Sequence, residues 1–137
     1  MITRAAIERD LVIVACAISA GIHAALTPDH WTEGAAAGTG FAVTAVLLMA
    51  LAIALTRVVS TAAVAGAGVV FGGLLVSYGL AVTTGLPVLH PNPEAIDGLA
   101  VFTKAVELVG LITAWDLLSQ RGSTLFLSFS RPKGTLA

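Results

Sequence analysis

Charge is what this sequence has least of. Only 11% of its 137 residues are Asp, Glu, Lys or Arg, against 57% hydrophobic, whereas a soluble domain carries about 25% charged residues. A water-soluble chain this apolar would present greasy surface on every side and aggregate, so the composition excludes that class. The formal net charge of −1 offers no basic surface to a phosphate backbone, which excludes nucleic acid as a partner. Cys16 is the single cysteine and rules out an internal disulfide or a site built on several thiolates. Lysine is confined to Lys104 and Lys133 while Ala, Gly and Val abound, a bias that points to a GC-rich bacterial genome. A Walker loop, a dinucleotide-binding turn, a serine nucleophile elbow and an HExxH pair are all missing.

What is present instead is four long apolar runs, at about 11–27, 35–56, 61–86 and 99–118. Each approaches the roughly 20 residues needed to cross about 30 Å of hydrocarbon. In lipid the backbone must satisfy its own hydrogen bonds, so these runs are helices rather than strands. The reading is an all-α integral membrane protein, a four-transmembrane-helix bundle over 1–121, with 122–137 as a cytoplasmic tail that is interfacial or disordered. The link at 57–60 is so short that spans two and three must form an antiparallel hairpin. A secretory signal or lipoprotein reading of the N-terminus fails, because the apolar run before Ala15 and Cys16 is only four residues long, too few for a signal core. Cys16 then reads as a small buried hydrophobe.

Orientation follows from the basic residues. Arg4 and Arg9 precede span one, Arg57 lies between spans two and three, and Arg121, Arg131 and Lys133 follow span four. The loops at 28–34 and 87–98 contain no Lys or Arg. The positive-inside rule therefore predicts cytoplasmic termini (N-in/C-in), two outward-facing loops and a multi-pass protein of the bacterial plasma (inner) membrane. Trp31 and Trp115 fall at opposite interfaces, as aromatic anchors do. Small residues four apart let helices approach closely in lipid. Gly34, Gly38, Ala36 and Gly40 in span two have that spacing, as do Gly68 and Gly72 in the glycine-rich span three. Such seams serve packing within the bundle or a homo-oligomer through span three. Otherwise the expected partner is membrane lipid.

The polar residues gather on one side. His23 lies near the outer end of span one, His30 in the first outer loop and His90 in the second, with Asp29, Glu33, Glu94 and Asp97 beside them. Neutral nitrogens and anionic oxygens without competing cations suit a divalent metal. With 1.5 Å rise per residue His23 lies roughly 7 Å below Pro28, and His30, two turns further on, stacks above it if the helix continues through Pro28. Inside span four, Lys104 and Glu107 stand one turn apart and are placed to pair. Ionisable residues within a span face the bundle interior and mark function, and Asp97 continues their stripe outward. Tyr78, Thr83 and Thr84 near the outer end of span three are expected to line the same pocket, with Asp29 and Asp97.

These residues predict an outward-facing pocket. Its metal ligands are expected to be His23, His30, His90, Glu94 and Glu107, and its intramembrane polar pair Lys104 and Glu107. The leading expectation is a copper or zinc ion bound for transport, sensing or delivery. One alternative is a membrane-embedded enzyme or a haem-binding redox protein using the same pocket, although haem ligation from His23 and a loop is awkward. Another is a structural or accessory subunit in which Lys104 and Glu107 only dock span four. The pattern His23-x-x-x-x-Pro28-Asp29-His30, Thr83-Thr84-Gly85-Leu86-Pro87 and Thr103-Lys104-Ala105-Val106-Glu107 resembles small bacterial membrane proteins to which no activity is attached. Small multidrug exporters differ, because their essential Glu lies in the first span, where this chain has none.

Overall fold

The computed structural model describes residues 3–58, 60–87 and 92–129, with side chains described as far as Gln120. Four helices follow one another: α1 (Arg4–Glu33), α2 (Ala35–Arg57), α3 (Thr61–Thr83) and α4 (Gly98–Phe129). All four contain a stretch long and apolar enough to cross a membrane, and the protein is a multi-pass, four-helix membrane bundle. Three of the four helix N-termini are capped by a side chain, α2 beginning at Gly34 without one. Thr3 Oγ1 accepts from the Ala6 N–H, Ser60 Oγ from the Ala63 N–H, and Asp97 Oδ1 from the Ala100 N–H, satisfying amides that a helix leaves without partners.

Two helices run further than the hydropathy pattern suggests. α1 continues through Pro28 to Glu33, so the expected outer loop at 28–34 shrinks to Gly34 alone, and Asp29 and His30 are helical. Proline lacks an N–H and removes one rung of the ladder, a loss that membrane helices tolerate because their neighbours hold them. α4 begins at Gly98 and its backbone stays helical to Phe129, well into the stretch expected as a tail. α3 stops at Thr83, a turn earlier than the apolar run, and Gly85 follows with φ 73°, in the left-handed region that glycine enters without strain.

The helices are arranged around the bundle in the order α2, α1, α4, α3. α1 packs on α2 and α4, α4 packs on α3, and of the neighbouring pairs α2 and α3 meet least. The core contains Val12, Cys16, Leu48, Leu55, Val64, Phe71, Ala114 and Leu117, so Cys16 is the buried small residue expected. Large apolar side chains also cover the outside: Val69 is 75% exposed, Val46 71% and Trp115 71%. In water such a surface would be an aggregation hazard, and against acyl chains it is solvated.

Glycine places the close approaches, though at only some of the expected positions. A Cβ at Gly110 would stand 2.5 Å from Phe71 Cε2 and 3.0 Å from the Ala15 Cβ, so α1, α3 and α4 meet at that residue. A Cβ at Gly38 would lie 2.5 Å from Trp31 Cε3, which seats the α1–α2 turn. Gly68 faces Ala114 at 3.8 Å, whereas Gly34, Gly40, Gly72, Gly73 and Gly79 have nothing within 4 Å.

Arg4, Glu8, Asp116 and Gln120 join the start of α1 to α4. Arg4 donates from Nε to Glu8 at 2.5 Å and from Nη2 to Asp116 at 3.0 Å, and Gln120 Nε2 donates to Glu8 Oε2 at 2.8 Å. Both termini of the four-helix unit therefore lie at one end of the bundle, and the polar residues of interest lie at the other.

Candidate functional site

At the end opposite the termini, α1 carries His23 and His30 seven residues apart, two helical turns. Because α1 does not break at Pro28, the two rings share one face. His23 Nδ1–H donates to the Ser19 carbonyl at 2.8 Å, and His30 Nδ1–H donates to the Leu26 carbonyl at 2.9 Å. A carbonyl can only accept, so in each neutral ring the proton is assigned to Nδ1 and the lone pair to Nε2. Phe41 of α2 lies beside both: its ring is stacked on His30 with centroids 3.7 Å apart and tilted against His23 at 5.2 Å. The aromatic contact and the i−4 carbonyl together fix each imidazole.

Below them is a buried polar chain. Glu107 of α4 has 0% exposure. Its Oε1 accepts from Ser19 Oγ at 2.8 Å and its Oε2 from Lys104 Nζ at 2.6 Å. The Lys104 side chain is 17% exposed, and Nζ lies 5.3 Å from the Tyr78 ring centroid, within the range of a cation–π contact. The pair faces the bundle interior as span four predicts, and Ser19 ties it to α1. Both carboxylate oxygens of Glu107 are engaged, and it lines neither of the cavities described next. That geometry fits the role of a supporting acceptor better than that of a direct ligand.

Two adjoining cavities open at this end. The outer one, of about 160 Å³, is lined by His23, His30, Glu94, Asp97, Thr103 and Lys104 among others. The deeper one, of about 180 Å³, shares His23, Phe41, Tyr78, Glu94 and Lys104 with it and continues between Thr44 of α2 and Ser77 of α3. Glu94 is anchored by its backbone, whose N–H donates to the Ala81 carbonyl at 3.0 Å, and so that residue is held against α3.

The structure thus brings together His23, His30, Glu94, Asp97, Tyr78 and Lys104, with Glu107 directly beneath. It does not bring in three other residues expected there. Asp29 is exposed on α1 and lines neither cavity. Thr83 Oγ1 donates to the Gly79 carbonyl and Thr84 Oγ1 to the Leu80 carbonyl, which turns both hydroxyls back onto α3. His90 lies outside the described residues. Among the described residues, no three His, Cys, Asp or Glu side chains are grouped closely enough to hold an ion alone.

Several contributors carry weaker signals in the sequence. Ser19 is four residues before His23, so its carbonyl lies in reach of that ring, but serine is common in helices and nothing singles it out. Phe41 and Thr103 read as ordinary span residues until the helix order is known. Asp116, which looks like an unremarkable boundary carboxylate, bonds to Arg4. No family model matches this chain, and neither a curated protein nor a solved structure is similar to it.

Proposed function

We propose that this protein is oriented with both termini in the cytoplasm of a bacterial cell, and that it binds a copper or zinc ion in the outward cavity for transport, sensing or delivery. The carrying observation is the preparation of two imidazoles. His23 and His30 project from one helix face into one cavity, each with Nδ1–H on a carbonyl and Nε2 as the acceptor nitrogen. Metal-bound histidine almost always has that form, with the second ring nitrogen donating to a carbonyl or carboxylate that fixes the tautomer and ring orientation. Glu94 contributes an anionic oxygen to the same cavity, and His90 in the second loop is the further donor expected from the sequence. Glu107 acts from below, holding Lys104 and Ser19 in place, and the Lys104 charge tunes the affinity of the cavity for a cation.

Purified protein in detergent, stripped with a chelator and titrated with Zn²⁺ or Cu²⁺, is expected to bind one ion per chain. His23→Ala and His30→Ala should each weaken binding by at least about tenfold, as loss of a ligand or its support does. Equal affinity in the wild type and both variants would reject the reading. A Soret band in the purified protein would transfer the imidazoles to haem instead.

A further inference from the structure

The deeper cavity is a cleft with its own chemistry. Thr44 of α2 and Ser77 of α3 flank it, and His23 and Lys104 form its back wall. α2 and α3 are the neighbouring helices that pack together least, and Gly40 of α2 and Ser77 of α3, which line the cleft, are exposed, so the cleft opens between these two helices. Within it the Tyr78 hydroxyl is buried and has no hydrogen-bond partner among the described residues. A hydroxyl kept from water without a partner is costly, and one placed in a cavity wall is a donor available to a ligand.

Its surroundings narrow the ligand. Lys104 Nζ has three N–H donors, of which one serves Glu107, and the ammonium lies over the Tyr78 ring. His23 contributes its acceptor Nε2, and Phe41 a flat aromatic wall. The Lys104 charge is neutralised by Glu107, and Glu94 adds a carboxylate at the rim, so an anion is disfavoured and a neutral oxygen acceptor is favoured. A volume of about 180 Å³ is below the roughly 300–1,000 Å³ of sites that enclose a whole drug-sized molecule. The cleft therefore encloses a single substituted ring, and the remainder of the ligand extends between α2 and α3 into lipid.

We propose that this cleft binds the ring of a lipid-soluble quinone, with one carbonyl oxygen accepting from the Tyr78 O–H and from Lys104. The cleft shares His23, Glu94 and Lys104 with the outer cavity, so the test is made on protein stripped of metal.

The test is calorimetric titration of chelator-treated protein in detergent with a short-chain para-benzoquinone. Saturable binding at one site is expected. Tyr78→Phe should weaken it by at least about tenfold, the equivalent of one hydrogen bond to a charged or desolvated partner. Its unfolding temperature without quinone should stay the same or rise, because the variant deletes a buried hydroxyl without a partner. Gly40→Leu provides a second variant: Gly40 lines the cleft and a Cβ there meets nothing within 4 Å, so a leucine has room to occupy the cleft and should also weaken binding. The proposal is overturned by a wild type that does not saturate or by Tyr78→Phe binding as the wild type does. Equal competition from para-xylene, which has the ring but no carbonyl, would also overturn it. So would a co-purifying phospholipid that quinone cannot displace, which would assign the cleft to a lipid ester.

Discussion

Glu107, at 0% exposure, has Ser19 Oγ on one carboxylate oxygen and Lys104 Nζ on the other. The two bonds do different work. Lys104 neutralises a charge that lipid would otherwise have to solvate, and a lone charge at a helix centre costs about 2.5–3.5 kcal/mol on insertion scales. Ser19 joins α4 to α1. Lys104→Met or Glu107→Gln alone is expected to cost about 3–5 kcal/mol, because each leaves a buried partner unpaired. The double variant should cost clearly less than the sum of the two, and Ser19→Ala about 1 kcal/mol. Thermal unfolding of the four variants in detergent reads these costs. If the costs of the two single changes simply add, the pair is not coupled and this account of it fails. The pair itself is legible in the sequence, since two ionisable residues one turn apart inside an apolar run must find each other. Ser19 is not, because its role depends on which helix α4 meets.

At the scale of the helices, glycine shows how far pattern reasoning reaches. The small-residue spacing in span two includes one close approach, at Gly38, yet an equally close one is at Gly110 of span four, outside the pattern read in spans two and three. The Phe71 ring fills the space above it, and which ring faces which gap is a property of the assembled bundle. Gly110→Ala should destabilise by about 1–3 kcal/mol, as overpacking does. Gly72→Ala, with nothing within 4 Å of its new Cβ, should be neutral or gain up to about 1 kcal/mol from helix propensity. Unfolding temperatures of the two variants would invert if the α3–α4 seam ran through Gly72 instead. Helix ends are similarly divided. The caps at Thr3, Ser60 and Asp97 are readable locally. The run of α1 through Pro28 is not, because proline signals a stop unless neighbouring helices support the turn. That continuation is what stacks His30 above His23, and the sequence could state it only as a condition.

For the whole molecule, the apolar surface and the clustering of basic residues carry the argument. The Arg4, Glu8, Asp116 and Gln120 cluster joins the start of α1 to α4 at Asp116 and Gln120, and His23, His30 and Glu94 gather toward the opposite end of α1. Six of the seven basic residues belong to the termini and the α2–α3 link, and the proposed orientation places that end in the cytoplasm by the positive-inside rule. A cysteine at exposed Asn92, in a Cys16→Ala background, should react with a membrane-impermeant thiol reagent added to intact cells. Labelling only after the membrane is broken would reverse the orientation and turn the cavity toward the cytoplasm. Fold class was readable from composition because lipid imposes it on any chain this apolar. The placement of Phe41 of α2 against both imidazoles of α1 was not, since it depends on how α2 packs on α1.

The most direct test of the central claim is X-ray absorption at the zinc edge of protein loaded with one equivalent of Zn²⁺. The account predicts a shell of nitrogen donors at about 2.0–2.1 Å with the outer-shell scattering of at least two imidazoles, and loss of that scattering in the His23→Ala, His30→Ala double variant. A shell of oxygen donors alone, or an imidazole signal that survives in the double variant, would contradict it.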